Sequence, residues 1–163
     1  MAKELTDIQK VNRELCAKYP ILIPRNSYGK KCENFDYSHT YLESIPWGWR
    51  VGFGESWAKD IQKVINNLPQ EEADKIFIVQ IKEKFGALRQ YFSYYTDELR
   101  DVIDNYMLVS KHTCIRCGKP ATTMSTNWVS PYCSECAEKL PSYEKPISIN
   151  NYFKRLQEVY DDD

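Results

Sequence analysis

Leu5, Ile8, Val11 and Leu15 recur at helical spacing, and Thr6 with Gln9 has the pattern of a capping box, so residues 7–18 read as an amphipathic helix. Pro20 and Pro24 end it, and residues 20–54 then show no clear period. Rich in Gly, Asn, Ser and aromatics, this stretch reads as irregular structure with short strands, the best placed around Trp49 to Phe53. Ser56 is a candidate N-cap for a second helix at 57–68, with Trp57, Ile61, Val64, Ile65 and Leu68 as its apolar stripe and Pro69 as its stop.

The period then changes from helical to alternating. Residues 76–82 are β-branched and aromatic, and read as a strand with Phe77, Val79 and Ile81 on one face. Gly86 marks a turn, and Leu88 to Tyr95 is the returning strand of a hairpin. Thr96 caps a third helix at 97–111, buried through Leu99, Val102, Ile103, Tyr106 and Val109. Asp97 and Glu98 in its first turn and Lys111 and His112 in its last complement the helix dipole. Pro141 and Pro146 frame a connector, and Tyr152, Phe153, Leu156, Val159 and Tyr160 mark a final amphipathic helix at 150–160. Its acidic end, Asp161 to Asp163, sits at the negative pole of the dipole and is expected to fray.

The fold class expected is α+β: an antiparallel hairpin packed by amphipathic helices, with a ribbon-like module near the C-terminus. The expected parts are a body at 1–112, the module at 113–140, and a helical segment at 141–163 that packs back on the body. With 163 residues, one good core is the natural outcome. Composition is that of a soluble globular protein: 42% hydrophobic and 28% charged. Lys plus Arg number 22 against 23 Asp plus Glu, so unspecific nucleic-acid binding would need a local basic patch. The 12 Tyr and 4 Trp suit either a core of large side chains or an exposed contact surface. No apolar run approaches the roughly 18 residues of a membrane span, and Met1 to Leu5 does not begin a secretory signal. A cytoplasmic, reducing setting is therefore expected, with no membrane partner.

In that setting the cysteines read as metal ligands. Cys114-Ile-Arg-Cys117-Gly118 and Cys133-Ser-Glu-Cys136 form two CxxC pairs, the four-thiolate zinc pattern. One structural zinc is expected, because two tight CxxC turns place four soft donors at tetrahedral corners. Gly118 supplies the positive φ such a turn commonly needs, and the residues between the pairs, with Thr122, Thr123, Trp128 and Val129, have the composition of a short hairpin. Four thiolates leave no open position for catalysis at the metal. A redox dithiol, a pair of disulfides and an iron–sulfur cluster fit the spacing less well. Cys16, beside the first apolar face, reads as a buried thiol, and Cys32, with no His beside it, carries no nucleophile signature. His39 and His112 have no partner spacing, and the scattered carboxylates allow no catalytic assignment.

Lys82, Lys84 and Arg89 flank the hairpin turn with Tyr91 nearby, which suits a surface for a phosphate or an acidic partner. The same residues also suit a solvated tip whose charges protect a strand edge. Trp47 to Glu55, dense in Gly and aromatics, fits either core packing or a pocket for a small molecule or nucleotide, but its glycine spacing is not that of a phosphate loop.

Several strings together resemble a family of small uncharacterised proteins of phages and prophages. They are Lys18-Tyr19-Pro20, the Gly/Trp region at 47–57, the segment Val79 to Tyr91 containing Lys-Glu-Lys-Phe-Gly-Ala-Leu-Arg, and the two cysteine pairs with Trp128-Val129 between them. Ala87 stands where the family's turn has a second Gly, Gln90 where it has an aromatic, and Gly54-Glu55-Ser56-Trp57 replaces a Gly-Asp-Gly-Trp-like stretch. The resemblance implies a bacterial host cytoplasm and a binding role toward a host or phage macromolecule or signalling ligand. The reading that results is a non-enzymatic, zinc-containing interaction protein whose contact residues are Lys82, Lys84, Arg89 and Tyr91. Two alternatives stand beside it: a nucleic-acid-associated ribbon protein using Lys111, His112, Arg116, Lys119 and Trp128, and an enzyme acting through the Trp47–Glu55 region.

Overall fold

The first capping box forms: in the computed structural model, which describes residues 4–26, 28–32 and 35–161, the Thr6 N–H donates to Gln9 Oε1 at 2.8 Å and the Gln9 N–H to Thr6 Oγ1 at 3.3 Å. Helix α1 (Asp7–Lys18) starts there, as the pattern predicts. Its buried face differs from the predicted stripe. Asn12 and Cys16 turn inward while Ile8 and Val11 stay half exposed. The reason is a tertiary hydrogen bond, in which Asn12 Nδ2 donates to the Tyr37 carbonyl at 2.9 Å and ties the helix to the loop beside it.

The largest departure lies at 47–54. Where short strands were expected, the chain enters a helix at Trp47 and stays helical to Asn66, through α2 (Trp47–Trp49), a π-helical stretch (Arg50–Gly54) and α3 (Glu55–Asn66). Ser56, the expected cap, therefore sits inside this helix, and the second helix ends two residues short of Leu68. Glycines at 48, 52 and 54 lower helix propensity and disguise the segment. The buried residues carry the missed signal: Trp49, Phe53, Trp57 and Ile61 fall four apart. A strict four-residue repeat drifts around a helix of 3.6 residues per turn, and the wider π turn takes up that drift.

Strand β1 (Ile78–Lys84) pairs antiparallel with β2 (Ala87–Phe92), starting two residues later than expected. Phe85 and Gly86 form the two-residue connection, both with positive φ (53° and 77°), the pattern whose twist suits a hairpin. A bulge between Ile78 and Gln80 reverses the alternation along β1. Ile76, Ile78 and Ile81 are buried as a result and Val79 is turned out, so the face expected for Phe77, Val79 and Ile81 is not the one used.

Helix α4 (Gln70–Ala73) precedes the hairpin, and α5 (Asp97–Lys111) follows it along the outer edge of β2. The Thr96 cap and the buried face through Leu99 and Tyr106 are as predicted. The free backbone N–H of Leu88 donates to Ser110 Oγ at 2.9 Å, so the strand edge is satisfied by a helix side chain. Gln90, also buried, accepts from Trp57 Nε1 at 2.5 Å and donates to the Ile103 carbonyl at 3.2 Å, linking α3, β2 and α5. Gln90→Leu leaves the buried indole N–H without an acceptor and should cost about 1–3 kcal/mol. The check is a lower urea midpoint at unchanged m-value; an unmoved midpoint would refute this role.

The C-terminal part adds β3 (Thr123–Met124), β4 (Pro131–Tyr132), α6 (Ser134–Ala137), β5 (Ile147–Ser148) and α7 (Ile149–Asp161). Three short strands form an antiparallel sheet in the order β4-β3-β5. Trp128 is in the loop between β3 and β4 and is 73% exposed. Strand β5 therefore joins the cysteine module, and the Phe153 ring on α7 lies 5.1 Å from the His112 ring at the end of α5. The side chains of Val159 and Tyr160, and the end at Asp162 and Asp163, lie outside the described residues. The architecture is α+β with two small antiparallel sheets. No helix among the described residues is long and apolar enough to cross a membrane.

Candidate metal centre

Two short-range structures present the four thiols. After α5, the Gly118 N–H donates to the Cys114 carbonyl at 3.0 Å and the Cys114 N–H to the Lys119 carbonyl at 2.7 Å, closing a tight turn. Gly118 takes φ 85° there, the conformation its position was expected to require. The second pair sits at the start of α6, where Cys133 is the N-cap and its sulfur accepts from the Cys136 N–H at 3.5 Å. The Ile115 N–H donates to the Pro131 carbonyl at 2.9 Å and brings the first turn to β4.

The four sulfurs lie within 4.8 Å of one another, with Cys117 and Cys133 3.6 Å apart. A tetrahedral thiolate centre with metal–sulfur bonds of about 2.3 Å has edges of about 3.8 Å, so a small contraction on binding completes the geometry. Cys114, Cys133 and Cys136 are buried and Cys117 is half-buried. Burial pushes the Cys114 thiol up, but backbone N–H groups from Cys133, Cys117 and Arg116 outweigh it and hold the thiol at about 7. Cys136 goes the other way, to about 12, through burial and then the neighbouring thiols of Cys133, Cys117 and Cys114. Ligation needs these sulfurs deprotonated, so metal binding releases protons. The four cysteines are positioned to hold a metal ion, and no other group of such donors comes together among the described residues.

The Gly/Trp segment is the seat of this centre. Gly48 lies so close to the first cysteine turn that an added Cβ would fall 2.5 Å from the Ile115 carbonyl oxygen and overlap the Cys114 carbonyl as well. Gly52, one turn on, faces the Gly118 carbonyl oxygen at 3.0 Å from the same hypothetical atom. The Gly48 N–H donates to the Ile115 carbonyl and Trp49 Nε1 to the Thr113 carbonyl, each at 2.9 Å. Backbone therefore packs on backbone, and glycine's role here is close approach. Both roles expected of this region are present, since Trp49 and Phe53 are buried in the core while Trp47, Arg50, Gly52 and Glu55 line a pocket, and the glycine pair at helical spacing adds a docking groove for the cysteine turn.

Of the residues expected at the hairpin surface, Lys82 and Arg89 are cross-strand partners, and Lys82 Nζ stands 5.8 Å from the Tyr91 ring centre. Lys84 Nζ is 5.6 Å from the Phe85 ring centre. Arg89 instead leans toward α5, where Nη1 reaches Met107 Sδ at 3.9 Å. Two aromatics missing from the hairpin set stand out: Phe85, 71% exposed at φ 53°, and Trp128, 73% exposed on the module's loop. They share a groove with Glu83, Lys84, Asn127 and Val129. Burial raises the Glu83 carboxyl above its ordinary range, against a hydrogen bond from the Trp128 indole. Glu144 braces the loop by accepting from the Asn127 and Trp128 N–H groups, both at 3.1 Å. In the ribbon set, His112 packs on Phe153 and Lys119 pairs with Glu135 at 3.3 Å.

Comparison with known protein families, with curated proteins and with solved structures finds no match for this chain.

Proposed function

We propose that this chain is a non-enzymatic interaction protein of phage type, clasped by one structural zinc, whose partner is a protein of the bacterial host cytoplasm. The observation that carries the reading is the pair Phe85 and Trp128, two large aromatics held outward across one groove. Each is held by its backbone: Phe85 by a positive-φ position in a two-residue turn, Trp128 by the Glu144 carboxylate beneath its loop. Positive φ is costly for a bulky residue and persists where the surroundings impose it. Rigid, exposed aromatics are the usual anchors of protein interfaces. Lys82 and Lys84 beside them suit a partner with an apolar pocket rimmed by acidic residues.

Zinc is favoured over other metals because the donors are four thiolates with tetrahedral spacing, drawn from two CxxC turns. Glu83, Lys84 and Phe85, from the string on which the phage-family resemblance rests most, line this groove. Affinity capture from the encoding cell, with the double variant Phe85→Ala/Trp128→Ala and the distant Ile8→Ala as control, tests the reading. One protein should be retained by the control and lost from the double variant, with a weakening of at least about 2 kcal/mol in a direct titration. An unchanged set of bound proteins would refute it.

A further inference from the structure

Behind the hairpin turn, β2, the end of α5, the cysteine module and α7 border a half-open cavity lined in part by Phe85, Arg89, Lys111, Val129, Tyr152 and Leu156. Among the described residues two cations line it and no carboxylate does. The ion pairs among the described residues are Arg50–Glu43 and Lys119–Glu135, and neither Arg89 nor Lys111 forms one there. Arg89 is further under-satisfied: Nε is buried with no hydrogen-bond partner, and the sulfur of Met107 is a weak acceptor for Nη1. Two cations lining one cavity, one of them with a buried guanidinium N–H left unsatisfied, form an unfavourable arrangement that an anion relieves. Guanidinium and ammonium together suit phosphate, the first as a planar fork and the second as a point charge. The remaining wall is aromatic and aliphatic, which suits a flat organic group on that phosphate.

We infer that this cavity binds a phosphate monoester carrying a flat ring, of the mononucleotide class, with its phosphate on Arg89 and Lys111. This ligand is separate from the protein partner proposed above. Phe85 lines both the cavity and the outer groove, so an occupant touches a residue of the docking surface.

The test follows the Arg89 Nε–H resonance of the intact, metal-loaded protein during titration. The probes are a nucleoside 5′-monophosphate, its unphosphorylated nucleoside, inorganic phosphate, and a 5′-phosphorylated oligonucleotide beside its unphosphorylated twin. The monophosphate should move the Arg89 signal, the nucleoside should not, and inorganic phosphate should bind about tenfold more weakly for lack of a stacking ring. By calorimetric titration, Lys111→Gln should weaken the monophosphate about tenfold, and Arg89→Lys, which keeps charge but loses the fork, should do the same. An oligonucleotide that binds no tighter than the monophosphate assigns the site to free nucleotides; tighter, phosphate-dependent binding assigns it to a chain end. The inference is overturned if no probe moves the Arg89 signal, if the nucleoside binds as well as the nucleotide, or if both folded variants bind as the native chain does.

Discussion

Gly48→Ala should destabilise the protein by about 3 kcal/mol or more and weaken its hold on metal at the same time. The added methyl collides with backbone atoms of Cys114 and Ile115, and a backbone cannot rotate away as a side chain would. Either the helix shifts, breaking the Trp49–Thr113 hydrogen bond, or the cysteine turn shifts and misplaces two ligands. Gly52→Ala, whose methyl meets the Gly118 oxygen at 3.0 Å, should cost less. Gly54→Ala meets only Leu42 and Arg50 side-chain atoms, at 3.4 Å or more, and should be neutral or gain up to about 1 kcal/mol of helix propensity. Urea unfolding of the three variants, with metal content measured on each, checks this order. Equal effects at 48 and 54 would mean that the groove does not seat the metal turn.

Removal of the metal is the second large effect expected. Apart from its seat on the long helix the module is slight: β3, β4 and β5 are two residues each, and its own buried hydrophobic cluster is the cysteines. With the ligands unbound, backbone amides of 113–137 should lose hydrogen-exchange protection, as metallo-modules do when binding energy is folding energy. The loss should spread to β5 and α7, which are tied to the module through the β3 pairing. The core around Trp57, Ile81, Leu88 and Leu99 should keep its protection, because its contacts are hydrophobic and lie elsewhere. Apparent stability of the module should fall by several kcal/mol. A chelated protein with unchanged exchange in 113–137 would show that the cysteines are not a clasp.

The two predictions meet at one feature, the contact between the glycines of the long helix and the first cysteine turn. Through it the hydrophobic body and the metal module support each other. The exposed Phe85 and Trp128 span the same two units, one on the body's hairpin and one on the module's loop. A groove built this way exists only while both units are held in register.

What the sequence determined by itself was local. The Thr6 capping box, the Thr96 cap, the buried face of α5, the hairpin turn at Gly86 and the four clustered cysteines are set by residues three or four apart, or by repeated motifs whose chemistry admits few structures. What only the tertiary structure decided was non-local. Residues 48–54 read as irregular structure with short strands because propensity penalises glycine in helices, and they are helical where backbone from residues 113–118 makes its close approach. Val79 reversed its expected face because one bulge shifts the alternation of everything after it. Asn12 displaced Ile8 and Val11 from the interior because a hydrogen bond across 25 residues fixed the helix's rotation. The pairing of Phe85 with Trp128, and of Arg89 with Lys111, had no trace in spacing, since each joins segments that meet only when the chain is folded.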